Sequence, residues 1–247
     1  MGEEIIENIK QIQARITAAC VQSGREIADV QLLLATKTVN AERIKIAIEN
    51  GYPLIAENKV QEIKQKWDTL EHVPHQSHFI GHLQTNKIKD ILRYNVSCIQ
   101  SVDRLDLAQK LDQRLTYEGK TMDILIQVNT SAEESKFGVP PEEALALIKE
   151  VMLLPTLNIK GLMTIGLFST DTLKVRACFK RLKELQQSIE ALQLPRVQMK
   201  ELSMGMSNDL EIAIAEGATI IRVGTAIFGQ RQYPDSYYWN ENTYSTR

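Results

Sequence analysis

The chain has little of what would fix a protein outside the cytoplasm, in a bilayer or on a polyanion. Only three of its 247 residues are cysteine, Cys20, Cys98 and Cys178, widely scattered and with no Cys-x-x-Cys pair. That argues against a disulfide framework and a cysteine zinc site, and for reduced thiols. No apolar run approaches the length needed to span a membrane. A net charge of −2 lacks the basic excess of a general nucleic-acid binder or a polybasic membrane face. The opening Met1-Gly2-Glu3-Glu4 is acidic where a signal peptide would be basic, and it is poor company for a lipid anchor. No Pro/Ser/Gly-rich linker or shift in composition marks a second domain. The expectation is a single cytoplasmic domain, with no nucleic-acid and no membrane partner.

What is present is a rhythm. Ile5, Ile9, Ile12 and Ile16 recur at helical spacing and predict an amphipathic helix within residues 1–24. From Val30 onward, short β-prone apolar runs alternate with helical patterns. The predicted strands lie at 30–36, 54–56, 78–80, 98–102, 124–128, 157–163, 201–203 and 220–223. The helices between them fall at 41–50, 59–70, 86–94, 104–115, 142–154, 172–192 and 208–216, and a short one closes the series. Strict alternation implies a parallel sheet, and eight units in about 250 residues match a (β/α)8 TIM barrel. The barrel is placed over 30–231. A tail over 232–247, with Tyr233, Tyr237, Tyr238 and Trp239 among polar residues, either packs on the barrel or frays.

Lys37 ends the first apolar run, Val30-Gln31-Leu32-Leu33-Leu34-Ala35-Thr36. An ammonium at the mouth of a buried strand is costly to desolvate, and a lysine that is easily neutralised can form a Schiff base with a carbonyl. The competing reading is a lysine that snorkels to water.

In such barrels the active face is the C-terminal end of the strands, and phosphates commonly bind at the loops after strands seven and eight. Here these loops are Ser203-Met204-Gly205-Met206-Ser207-Asn208-Asp209 and Gly224-Thr225-Ala226-Ile227-Phe228-Gly229. Each couples a small residue to hydroxyls at a helix start, which suits an anion, although Ser207 or Asn208 could serve only as a cap and Gly224 only as a turn. Arg222 alternates with Ile221 and Val223 in strand eight, so it faces the opposite side from both. It is either a structural ion-pair partner inside the barrel or a guanidinium aimed at a ring nitrogen or anion. A phosphate, a ring and a Schiff-base lysine together describe pyridoxal 5′-phosphate, PLP.

Eight blocks then carry a family resemblance. They are Leu34-Ala35-Thr36-Lys37-Thr38, Glu57-Asn58-Lys59-Val60-Gln61-Glu62, His78-Phe79-Ile80-Gly81-His82-Leu83-Gln84-Thr85-Asn86-Lys87, and Ser101-Val102-Asp103-Arg104. Gln127-Val128-Asn129 through Glu134-Ser135-Lys136-Phe137-Gly138, Gly161-Leu162-Met163-Thr164, and the two loops with Arg222-Val223 complete the series. The chain resembles the pyridoxal-phosphate homeostasis protein family, single-domain relatives of the N-terminal barrel of alanine racemase. The resemblance implies a fold-type III PLP barrel with Lys37 carrying the aldimine. It matches Ser207, Gly224 and Thr225, with Ser203 nearby, to the phosphate cradle and Arg222 to the pyridine nitrogen. Asn58, His82 and Met163 would border the cofactor. Small departures, Thr36 for a common serine, Ala56 for glycine and Ser77 for tryptophan, bear only on pocket shape.

Competing features are weaker. His78 and His82 are four apart, but the residues between them read as a strand end, so a shared metal is not expected. Lys136 is a second lysine at the active face, without a preceding apolar strand. Glu57, Glu62 and Asp103 form no evident acid–base pair. The resulting expectation is a monomeric PLP carrier with no turnover of its own, whose partners are PLP and either PLP-dependent apoenzymes or a regulatory protein. The alternatives are a PLP-dependent amino-acid racemase and a Schiff-base aldolase.

Overall fold

The computed structural model describes residues 2–133 and 135–229. Its eight parallel strands close in sequence order, with β1 also pairing with β8. They are β1 Gln31–Ala35, β2 Leu54–Glu57, β3 Gln76–Phe79, β4 Val96–Val102, β5 Met122–Gln127, β6 Leu157–Met163, β7 Val197–Ser203 and β8 Ile220–Val223. Helix α1, Gly2–Gln22, precedes them. The helices between strands are α2 Ala41–Glu49, α3 Val60–Leu70, α4 Ile88–Arg93, α5 Leu105–Glu118, α6 Pro141–Val151, α7 Thr172–Glu190 and α8 Leu210–Ala215, and α9 Thr225–Phe228 follows β8. The eightfold alternation legible in the sequence is the observed fold. The tail over 232–247, with 230–231 of the expected barrel, lies outside the described residues.

Period-two alternation sorts the strand residues into two cores. Outward side chains such as Leu34, Ile55, Phe79, Ile99, Ile124, Leu202 and Ile221 join the helices in the large core between sheet and helix ring. Inward ones form small layers inside the barrel, Leu33 with Leu54, Ala56 and Ile220, and Cys98 with Leu125 and Met163. Ile5, Ile9, Ile12 and Ile16 of α1 are at most 3% exposed, and each such burial stabilises by about 1.5–3 kcal/mol. Through them α1 packs against α2, α8 and α9, outside the seam where β8 meets β1.

Two helices differ from the expected pattern. The segment after β3 begins as a 3-10 turn, Thr85–Lys87, before α4. After β7 the helix starts only at Leu210, because the Asp209 carboxylate accepts from the Met206 N–H and closes the preceding loop on itself. No helix among the described residues is long and apolar enough to cross a membrane.

Candidate functional site

Lys37 lies two residues past the end of β1 and is half-buried. The β1–β8 register, Leu33 opposite Arg222 and Leu34 opposite Val223, brings the start of α9 to the same edge as Lys37. Gly224 permits that closeness, since a Cβ there would stand 2.7 Å from the Ala35 carbonyl oxygen. In α9 the hydrogen bonds begin with the Ile227 and Phe228 N–H groups donating to Gly224 O, so the N–H groups of Thr225 and Ala226 stand outside its ladder. Both residues are exposed. The neighbouring β7–α8 loop turns at Gly205, whose φ of +91° and contact with Ala213 (2.4 Å from a built Cβ) require glycine. Ser207 beyond it is half-buried.

Below this edge a directional chain of hydrogen bonds crosses the barrel interior. Arg222, 5% exposed, can only donate, and does so to Ser203 Oγ (2.7 Å) and Thr164 O (2.8 Å). Ser203 therefore donates its own proton to Gln100 Oε1 (2.6 Å), which leaves Gln100 Nε2 to donate to His78 Nδ1 (2.8 Å). The chain fixes His78 as the neutral tautomer protonated on Nε2, and burial, against a weaker pull from Asp123, holds this imidazole down to about 4. Burial also lowers Arg222 to about 10, with Asp209 opposing, so the guanidinium stays charged at neutral pH. Ser203 is wholly buried, and its hydroxyl both accepts and donates within this chain.

The remaining predicted residues line the rim. Asn58 follows β2 and is 7% exposed, and Met163 ends β6 packed on Cys98 and Leu125. His82 stacks on Phe137 with ring centroids 3.9 Å apart, joining the loop after β3 to the loop after β5. Burial and Arg104 lower its pKa, while Asp103 at 3.8 Å from Nδ1 opposes them. Thus His82 sits past the strand end and His78 sits inside the barrel, each with different partners. Lys136 pairs with Glu133 and donates to Gly166 O (2.8 Å), tying the β5–α6 and β6–α7 loops together. Glu57 and Glu62, without a pairing in the sequence reading, share one cation: Lys66 Nζ lies 2.6 Å from Glu57 Oε1 and 3.2 Å from Glu62 Oε2.

The alanine racemase N-terminal domain family matches residues 3–232. The pyridoxal phosphate homeostasis protein of Aquifex aeolicus is 40% identical over 92% of this chain and 98% of its own length. The chain belongs to the pyridoxal phosphate homeostasis protein family. Among solved structures, an unknown protein from Bifidobacterium adolescentis is 39% identical with a TM-score of 0.86, covering 92% of this chain and 95% of its own. PipY of Synechococcus elongatus, solved with PLP bound, is 31% identical with a TM-score of 0.76, covering 88% of this chain and all of its own.

The residues present fit the cofactor of this family. An amine, a buried guanidinium and two loops with N–H groups or hydroxyls meet at one edge, and Asn58 Oδ1 and His82 Nδ1 are buried at the rim with no hydrogen-bond partner among the described residues. Reasoning from the sequence missed four residues that hold this arrangement. Gln100 completes the interior chain, and a glutamine amid the buried run Cys98–Val102 was its signal. Lys66 falls on the buried face of α3 with Val60, Ile63 and Leu70, a lysine at an apolar-stripe position. Arg15 and Asn8 of α1 gave no signal, yet Arg15 donates to Ser207 O (2.9 Å) and Asn8 to Ile227 O (3.0 Å), bracing both loops from outside.

Proposed function

We propose that this protein holds pyridoxal 5′-phosphate at the C-terminal mouth of its barrel, tethered to Lys37. In this reading it acts as a monomeric cytoplasmic carrier in vitamin B6 homeostasis and makes the cofactor available to PLP-dependent apoenzymes, with no turnover of its own. One observation carries the reading: Lys37 and the start of α9 meet at the β1–β8 seam, directly above Arg222. The bound group would supply an aldehyde for the lysine amine and, in enzymes that use it, an electron sink.

Ser207, Gly224 and Thr225 would hold the phosphate through backbone N–H groups and hydroxyls, with Ser203 beneath them. Arg222 would face the ring nitrogen as a donor that does not give up its proton at neutral pH, so the ring is kept a poor electron sink. Asn58, His82 and Met163 would shape the rim. Tyr52, Tyr94 and Tyr117 precede β2, β4 and β5, at the opposite end of the barrel from Lys37. None of these three can act as a base over the site. The buried thiols of Cys20, Cys98 and Cys178 are unpaired, in keeping with a reducing compartment.

The test is borohydride reduction of the protein loaded with PLP, followed by peptide mass mapping. The expected label is on Lys37 and absent in Lys37→Ala. Protein that never takes up PLP would instead favour the aldolase reading, and racemisation of an amino acid that is lost in Lys37→Ala would overturn the carrier role.

A further inference from the structure

Both neighbours of Lys37 are pinned to one buried cluster of ions. Lys66 Nζ donates to Thr36 O (2.9 Å), and Thr36 Oγ1 donates to Glu57 Oε1 (2.6 Å). On the other side of Lys37, the Thr38 N–H donates to Glu62 Oε2 (2.7 Å). Lys66 joins the two carboxylates, and it and Glu57 are only 8% and 3% exposed. Thr38 has φ of +63°, an uncommon and unfavourable conformation for a β-branched residue that persists only where its surroundings over-determine it.

A lysine is a poor choice for a stripe position if stability alone is served, because a hydrophobic residue there is commonly as good or better. What the ions provide is direction. Each hydrogen bond fixes a backbone or side-chain atom of Thr36 or Thr38, and together they hold the backbone on both sides of Lys37. We propose that Lys66 is a positioning residue for Lys37: through Glu57 and Glu62 it locks the backbone of residues 36–38 so that the Lys37 amine is presented to an aldehyde at the barrel mouth. The proposal rests on the PLP-binding reading above. In the step served, the Lys37 nitrogen lone pair adds to the aldehyde carbon, C=N replaces C=O, and the two amine hydrogens leave with the oxygen as water. No oxidant or reductant is required.

The test uses the full chain and a double variant, Lys66→Met with Glu57→Gln, which removes the Lys66–Glu57 pair together and leaves the half-buried Glu62 with the Thr38 N–H. Lys66→Arg keeps a cation with several donors. Two probes are compared: PLP, and pyridoxine 5′-phosphate, which has the same ring and phosphate but an alcohol in place of the aldehyde. The double variant is expected to form the borohydride-stable adduct roughly ten- to a hundredfold more slowly, the effect of misplacing a reacting group by about an ångström. Its affinity for pyridoxine 5′-phosphate should stay within about twofold of wild type, a difference well under 1 kcal/mol. In the ligand-free protein the Thr38 amide should exchange faster with solvent, and Lys66→Arg should recover much of the adduct rate. An unchanged adduct rate overturns the proposal. So does a parallel fall in adduct rate and in pyridoxine 5′-phosphate affinity, which would mark the cluster as a general prop of the fold. Wild-type protein that forms no adduct at Lys37 overturns the functional reading itself, a result separate from either.

Discussion

On the β1–β2 side of the mouth, the segment bearing Lys37 is held by a buried lysine and two glutamates. On the β7–β8 side, the two glycine-bearing loops are held by backbone hydrogen bonds, by the Asp209 carboxylate and, from outside, by Arg15 and Asn8 of α1. Under the proposed function the contrast follows from what each side would have to do. A reactive amine must point in one direction, and buried ions enforce a direction because any other arrangement leaves a charge without a partner. An anion cradle needs open N–H groups, so its bracing comes through carbonyl oxygens such as Ser207 O and Ile227 O. Those bonds steady the loops without consuming their donors.

The comparison predicts unequal sensitivities. The largest belongs to Lys66→Met alone, measured at pH 8: burial pushes Glu57 up to about 7 against the pull of Lys66, and without that pull the buried group must either stay an unpaired carboxylate or take up a proton. Stranding that carboxylate should lower unfolding free energy by about 3–5 kcal/mol in urea titrations, and adding Glu57→Gln should restore most of it. If the single variant is as stable as wild type, the lysine side is not held by ions in the way described.

Next comes the interior chain that underlies both sides. An unfolded histidine takes its proton near 6.5, whereas His78 in the fold does so only near 4. The stabilisation it contributes is complete above 6.5 and is lost as pH falls toward 4, on the order of 3 kcal/mol before allowance for the part of the ring that water reaches. The stability difference between wild type and His78→Gln should therefore narrow over that window. A constant difference would show that the imidazole titrates normally and that the chain from Arg222 does not end on it.

Smaller effects are expected on the phosphate side. Thr225 is exposed, so Thr225→Ala should leave thermal stability nearly unchanged while weakening pyridoxine 5′-phosphate binding in calorimetry by about 1.5–3 kcal/mol, the range for a hydrogen bond to a charged group. The smallest effect is that of Arg15→Ala. Its ion pair with Glu211 is more than a third exposed and contributes at most about 1 kcal/mol to stability. Its loss should instead appear as faster amide exchange in the loop containing Ser207. A stability loss as large as that of Lys66→Met would erase the contrast between the two sides.

The barrel was legible because its signals are local. Apolar runs of strand length and helical stripes such as Ile5, Ile9, Ile12 and Ile16 each declare themselves within a few residues, and their alternation constrains the topology. The placement of Lys37, Arg222 and the two loops at one edge followed from that topology, since parallel strands carry all their C-terminal ends to one face. The roles of Ser203 and Glu57 were not legible in the same way. Ser203 looked like a loop hydroxyl near the phosphate, and its engagement by Arg222 and Gln100 depends on partners 19 and 103 residues away. Glu57 showed no acid–base pair in the sequence, and the cation it meets, Lys66, lies on the following helix.

The sequence by itself determined the class of fold and the end of the barrel at which Lys37, Arg222 and the two glycine-bearing loops gather. Periodicity and strand order are properties of the chain that hold before it folds. Only the tertiary structure decided how the backbone on either side of Lys37 is held and how the two loops are braced. Those contacts join Thr36 to Lys66, Gln100 to Ser203 and Arg15 to Ser207, pairs 30, 103 and 192 residues apart. Hydrogen bonds and ion pairs act over a few ångströms, so such pairs exist only once closure of the barrel has brought distant segments together.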